Sequence, residues 1–337
     1  MDQGPTLMRT FAFRAIEFFS GVGGWRYALG GMGDTSYKFP ITSYKMKTLP
    51  SCGFASNIYR TSNMNEVMGE VLAAYDISEV ANAVYLHNFG DSPIVRELAT
   101  VNPQEIMSLG ANTWLMSPPC QPFCRMGEAG GLEDVRSAAF LRLMDLLTEI
   151  WPKHFVLENV EGFLESDAFS LLERKLAEAG LKWRSFVLCP TQFGIPNRRT
   201  RVYVVASVNG VLDGTPPSIE PIALSNYLDP YADGDESLYL TDEETARHGP
   251  GLDIVGQESK RSACFIGGYG KRFVGSGSFL KTPKGIRRFS PMEISRLMGY
   301  PPSFGFPPNV PLVKQYKLLG NGLNIEVARW VVAQLTI

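Results

Sequence analysis

The 337-residue sequence has no apolar run approaching the roughly 20 residues that a membrane span needs. Met1 to Thr10 lack the basic start and apolar stretch of a secretion signal, so a soluble protein is expected, in the cytoplasm and also in the nucleus. Cysteine is sparse: Cys52, Cys120, Cys124, Cys189 and Cys264 are odd in number and scattered, which argues for reduced thiols and against a disulfide framework. A zinc centre is disfavoured as well. Cys120 and Cys124 have no second pair, and neither His87 nor His154 is followed two residues on by the Glu of a zinc deaminase, so no metal is expected. Gly21, Gly23 and Gly24 form a glycine loop, but a third dinucleotide-type glycine would fall at Arg26 and no phosphate-loop Gly-Lys-Ser/Thr follows. NAD and ATP are therefore not favoured.

What is present is a chain with 45% hydrophobic residues, enough to bury one large core plus a smaller lobe. Short apolar runs at Ala15 to Phe19, Val71 to Tyr75, Thr113 to Met116, His154 to Leu157, Ser185 to Leu188 and Val202 to Ala206 alternate with helical patterns such as Phe140, Leu141, Met144, Leu147 and Ile150. That alternation predicts an α/β fold with a mostly parallel sheet. We divide the chain into a main domain at 1–207, with an irregular insertion at 31–65, a small lobe at 208–288 and a return to the main domain at 289–337. Ser290-Pro291 with Glu293 predicts a helix start, and a last helix is expected from about Ile325 to Leu335.

Four apolar runs end in residues suited to chemistry: Ser20 to Gly24, Asp76, Ser117-Pro118-Pro119-Cys120 and Glu158-Asn159-Val160. Ligands of open α/β sheets bind outside the carboxyl ends of the strands, so these motifs are expected to share one crevice. Taken singly, each has an ordinary explanation. Asp76 could be a solvated strand-end acid, Cys120 an inert thiol, Glu158 an acid satisfied by backbone amides, and Arg199 with Arg201 a strand-entry cluster. Together, a thiol, a buried acid and two arginines projecting to one face suit a pyrimidine ring. Addition of the Cys120 thiolate at carbon 6 of cytosine would make carbon 5 nucleophilic toward a methyl sulfonium. Glu158 would hold N3 and the exocyclic amine, and the arginines would bind O2 and favour the thiolate.

The net charge of −2 conceals segregation. From Gly210 to Glu258 every charged side chain is acidic except Arg247, whereas from Ser259 to Met292 Lys260, Arg261, Lys271, Arg272, Lys281, Lys284, Arg287 and Arg288 meet no acid. Phe265, Tyr269, Phe273, Phe279 and Phe289 are interleaved with these cations. A nucleic-acid surface is predicted there, with cations on phosphates and rings stacked on unpaired bases.

In motif content and order the sequence resembles the cytosine-5 methyltransferase family, most closely its eukaryotic tRNA-aspartate branch. Phe19 to Gly24, Ser117 to Phe123, Glu158-Asn159-Val160, Arg199-x-Arg201 and Leu319-Gly320-Asn321-Gly322 are similar to that family's motifs. Cys264-Phe265-Ile266 followed by Gly268-Tyr269-Gly270 is similar to a mark of the tRNA branch, with Ile266 in place of the usual threonine. The resemblance implies a Rossmann-like methyltransferase domain with a small target-recognition lobe, S-adenosyl-L-methionine as cofactor, and cytosine-38 in the anticodon loop of tRNA-Asp as target. It implies catalysis by Cys120, Glu158, Arg199 and Arg201. Cofactor binding is expected at Phe19, Ser20, Gly21, Gly23, Gly24, Asp76, Pro118 and Asn321, and substrate binding at Lys260, Arg261, Cys264, Phe265, Tyr269, Lys271 and Arg272. The family's acid for the adenine amine has no evident counterpart around Leu98 and Ala99. A monomer is expected, with no membrane partner and DNA bound only weakly. The rivals are a DNA cytosine-5 methyltransferase and a silent nucleic-acid binder, the latter opposed by the intact Cys120, Glu158, Arg199 and Arg201.

Overall fold

The computed structural model describes residues 12–30, 69–119 and 137–336. Six strands, β1 (Phe13–Phe18), β2 (Gly69–Tyr75), β3 (Thr113–Met116), β4 (His154–Asn159), β5 (Lys182–Leu188) and β6 (Arg201–Ser207), form one sheet in the order β2-β1-β3-β4-β6-β5. β2, β1, β3 and β4 are parallel, and β6 alone is reversed, antiparallel to β4 on one side and β5 on the other. The mostly parallel sheet expected from the apolar runs is present, each strand lying over its run.

Helices cover both faces, which is why β3 and β4 are buried at every position instead of alternating. In chain order they are α1 (Gly24–Gly30), α2 (Glu79–Phe89), α3 (Pro103–Met107), α4 (Ala138–Ile150), α5 (Asp167–Glu178), α6 (Asp242–His248), α7 (Pro291–Leu297), α8 (Leu312–Asn321) and α9 (Ile325–Val332). Alternate strand residues point to opposite sides. Ile16, Trp114, Met116, Phe155 and Leu157 pack with Leu143, Leu147, Leu172 and Leu176 of α4 and α5. Ala15, Leu115, Val156 and Val205 pack on the other face with Trp25, Leu297, Val327 and Val331. The predicted start of α7 is a reciprocal cap: the Glu293 N–H donates to Ser290 Oγ at 3.1 Å and the Ser290 N–H to the Glu293 carboxylate at 2.7 Å. No helix among the described residues is long and apolar enough to cross a membrane.

Residues 208–288 carry a second sheet, β7 (Asp253–Val255), β8 (Ser278–Thr282) and β9 (Gly285–Arg288), with β8 and β9 as an antiparallel hairpin and β7 parallel to β8. Here one expectation is corrected. Phe265, Tyr269, Phe279 and Phe289 are core residues, between 0% and 3% exposed, and Tyr269 Oη donates to the Ser278 carbonyl while accepting the Phe289 N–H. Phe273, partly buried, stacks on the His248 ring at 4.2 Å and meets the Arg288 guanidinium at 4.8 Å. Phe265, Tyr269, Phe279 and Phe289 fill the interior of a small lobe, so they have no free face for a nucleobase.

The charge segregation is also cancelled in space for four of the eight cations between Ser259 and Met292. Lys260 pairs with Glu220 at 2.6 Å, Arg261 with Asp253 at 2.8 Å, Lys284 with Glu236 at 3.7 Å and Arg287 with Asp233 at 2.7 Å. The acidic stretch is thus the partner of the basic one. Lys271 and Arg272 are exposed and have no acidic partner among the described residues.

Candidate active site

The carboxyl ends of β1, β2, β3 and β4 open onto one cavity of about 790 Å³. Its wall begins where β1 stops. Phe19 takes a left-handed φ of +56°, unusual for a bulky residue, and turns the chain into the glycine loop before α1. Gly23 cannot be replaced without disturbance: its φ is +82°, and a Cβ there would lie 2.3 Å from a ring carbon of Phe89. Asp76, just past β2, ties the two strand-end loops together. Its Oδ2 accepts the Gly21 N–H and its Oδ1 the Ser78 N–H, each at 2.8 Å. Burial pushes the Asp76 carboxyl above its ordinary value, against the pull of these amides.

Beneath the loop, Glu17 is fully buried, accepting the Trp25 N–H at 3.0 Å near the start of α1. Burial carries its pKa up to about 8, opposed by the Trp25 amide and by Arg26. The indole of Trp25 donates to Ser117 Oγ at 3.0 Å, and Asn159 Nδ2 donates to the Pro118 carbonyl at 3.2 Å. Ser117, Pro118 and Pro119 are therefore held on the cavity wall from both sides. Cys120, the expected nucleophile, lies outside the described residues.

Reversal of β6 explains how an arginine at the start of a strand reaches the carboxyl ends of its neighbours. Asn159 pairs with Val202 across the ladder, so Arg201 sits beside Glu158 at the cavity edge. Arg201 Nε is 3.3 Å from Glu158 Oε1, and the two side chains are 16% and 8% exposed. Burial raises the Glu158 pKa, while Arg201, Arg199 and Ser117 draw it back without cancelling the rise. The Cys264 thiol meets both arginines, at 3.5 Å from Arg199 Nη1 and 4.0 Å from Arg201 Nη2, and they lower its pKa despite its burial.

The two arginines do not share one task. Arg199 Nη1 donates to the Phe265 carbonyl at 3.3 Å, and its Nη2 donates to the carbonyls of Gly320 and Gly322. It clamps the Cys264 segment onto the Leu319 to Gly322 motif that closes the cavity. These segments approach so closely that a Cβ on Gly320 would fall 2.2 Å from the Gly267 nitrogen.

Of the residues expected at the site, Phe19, Ser20, Gly21, Gly24, Asp76, Pro118, Glu158, Arg199, Arg201 and Asn321 line this one cavity, while Gly23 lies behind it against Phe89. Lys260 and Arg261 are held in ion pairs, and Phe265 and Tyr269 are interior. Several wall residues were not singled out from sequence, among them Glu97, Lys314 and Lys317. Glu97 lies next to Leu98 in a short 3-10 turn, with Oε1 accepting the Ala99 N–H at 3.1 Å, so an acid does stand where none was evident. The sequence signal was an acid followed by an apolar residue between the Asp76 and Cys120 motifs. Lys314 and Lys317 are exposed on α8 and line the same wall.

The family model described as C-5 cytosine-specific DNA methylase matches residues 13–218 and 243–336. The chain belongs to that family. This methylase is 32% identical to a tRNA (cytosine(38)-C(5))-methyltransferase of Spodoptera frugiperda, over 77% of its own length and 90% of that enzyme's. It is 28% identical to the rat tRNA (cytosine(38)-C(5))-methyltransferase over 93% of this chain and 96% of that one. The solved structure of the Entamoeba histolytica methyltransferase EhMeth superimposes on the methylase with a TM-score of 0.80 at 28% identity, covering 96% of this chain and 97% of that one.

Proposed function

We propose that this methylase transfers a methyl group from S-adenosyl-L-methionine to carbon 5 of a cytosine in tRNA, the target being cytosine-38 of the tRNA-Asp anticodon loop. One observation carries the proposal. A single cavity joins an end walled by Ser20, Gly21, Asp76, Ser78 and Glu97 to a charged end at Glu158 and Arg201. The first end fits the cofactor. Ser20 Oγ is buried on the cavity wall with no hydrogen-bond partner among the described residues, as a ligand-completed site requires. Asp76 and Glu97 would hold the ribose hydroxyls and the adenine amine, and Asn321 the methionine end. When bound, the cofactor supplies an electrophilic methyl on a sulfonium.

The rest of the chemistry belongs to the chain. The Cys120 sulfur forms a bond to carbon 6 of cytosine, shifting electrons toward N3 and making carbon 5 the nucleophile. Glu158, whose carboxyl retains a proton more readily than an ordinary one, holds N3 and the exocyclic amine and offsets the charge developing there. Arg201 keeps Glu158 in place and faces the O2 side of the ring. Once carbon 5 carries the methyl group, loss of its proton to water expels Cys120 by breaking the carbon–sulfur bond, which restores the aromatic ring and the thiolate.

RNA is favoured over duplex DNA by the small extent of unpaired positive charge at the mouth among the described residues. Gly267 and Gly270 pack on Lys317 and Val313 of α8, so Lys271 and Arg272 adjoin Lys314 and Lys317. These four cations suit the few phosphates flanking one loop cytosine. Duplex recognition normally needs a larger surface and must also meet the cost of extracting a stacked base. The test is methyl transfer from labelled cofactor to three substrates at matched salt: tRNA-Asp transcript, the same transcript without its target cytosine, and duplex DNA. Incorporation into the first alone is expected. Equal labelling of DNA would favour the DNA-methyltransferase alternative, and equal labelling of the cytosine-free transcript would remove the site assignment.

A further inference from the structure

A second buried hydroxyl lies on the cavity wall. Tyr300 follows α7, is 2% exposed and lines the cavity, yet its Oη has no hydrogen-bond partner among the described residues. Its ring is fixed edge-on to Tyr27 at 5.4 Å and tilted against Phe304 at 4.5 Å, so rotation into solvent is blocked. A buried phenol oxygen without a partner is costly, and such groups in folded proteins are normally completed by something the site binds.

Its position indicates what that is. Tyr300 Oη lies 3.1 Å from where a Cβ on Gly322 would stand, next to Asn321. Tyr300 lines the same cavity as Gly21 and Gly24 of the glycine-loop end and Glu158 and Arg199 of the base end. The adenosine wall formed by Asp76, Ser78 and Glu97 comes from the β2 side. Burial keeps the phenol protonated, making it a neutral donor. We propose that the Tyr300 hydroxyl binds the amino-acid end of the S-adenosylmethionine cofactor, donating to its carboxylate beside Asn321. The assignment rests on the methyltransferase function proposed above. A neutral donor to a buried anion is worth more than an ordinary hydrogen bond, and its loss is expected to weaken binding about tenfold.

The test is Tyr300→Phe, which removes only the oxygen, followed by calorimetric titration with S-adenosylhomocysteine and with 5′-methylthioadenosine, which lacks the amino-acid end. Thermal melting of the free protein serves as the control for folding. The free variant is expected to melt at or above the parent's temperature, because a buried hydroxyl without a partner has been removed. S-adenosylhomocysteine should bind about tenfold more weakly and methylthioadenosine equally well. Unchanged affinity for the first, equal weakening of both, or a lower melting temperature of the free variant would overturn the assignment. If the parent itself bound neither nucleoside, the function on which the assignment rests would fall instead.

Discussion

Glu158 and Arg201 face each other across antiparallel neighbours, with Oε1 and Nε 3.3 Å apart and both side chains largely withdrawn from water. In a parallel pairing the amino end of β6 would lie at the opposite edge of the sheet, far from the carboxyl end of β4. The reversal of one strand therefore assembles the acid and the guanidinium at the cavity.

Glu158→Gln retains the shape and an acceptor but cannot hand a proton toward N3. We expect kcat to fall by about 10²–10³, the usual cost of removing a group that offsets developing charge, with cofactor affinity within about twofold of the parent's. Single-turnover kinetics alongside cofactor titration checks this, and near-normal turnover would contradict the assigned role.

Asp76→Ala should give the opposite signature. The variant loses the acceptor for the Gly21 and Ser78 amides and the group assigned to the ribose. Affinity for S-adenosylhomocysteine is expected to fall about tenfold or more, while turnover at saturating cofactor changes less. Unchanged titration would place the nucleoside end elsewhere.

Much of this site was legible in the sequence because its parts are local. The glycine loop, Asp76, Ser117 to Pro119 and Glu158 each directly follow an apolar run, and the rule that strand ends share a crevice needs no tertiary detail. What was not legible depends on distant pairing. Arg199 is bound by carbonyls 66 and 121 residues away, which no local pattern announces. The direction of β6 cannot be read from a five-residue apolar run. The aromatics between Phe265 and Phe289 occur among cations along the chain yet turn inward, and the acids that neutralise those cations precede them by 8 to 54 positions. Glu97 is a single acid capping one 3-10 turn, with no pattern around it to mark it.

Glu17 makes stability depend on pH. Its carboxyl is raised from 4.5 to about 8 in the folded chain, so the folded state binds more protons than the unfolded one between those values. Its contribution is therefore intact below about pH 4.5 and is lost as pH rises through about 8. Glu17→Gln keeps an acceptor for the Trp25 N–H without acquiring charge. The variant should melt several degrees above the parent at pH 9, with the gap closing toward pH 5. An equal gap at both pH values would show that Glu17 does not titrate as the buried geometry requires.

The charge pairing sharpens the prediction for RNA. Reversal at Lys271, Arg272, Lys314 and Lys317 is expected to weaken tRNA binding and to lower the slope of log affinity against log salt by roughly one for each phosphate no longer neutralised. Reversal at Lys260 and Arg261, already held by Glu220 and Asp253, should change that slope little. The reverse ranking would relocate the phosphate track to the β7 side of the lobe.

The central claim is that Cys120 forms a covalent bond to the target cytosine, and a tRNA-Asp transcript carrying 5-fluorocytosine at that position tests it most directly. Fluorine at carbon 5 cannot leave as a proton does, so an adduct that has accepted the methyl group is trapped. In the presence of S-adenosylmethionine, the parent protein should give a complex with the RNA that survives denaturing electrophoresis. Cys120→Ala, which should melt at the parent's temperature, should give none. Equal trapping by both proteins, or none by a parent that methylates the ordinary transcript, would contradict the account.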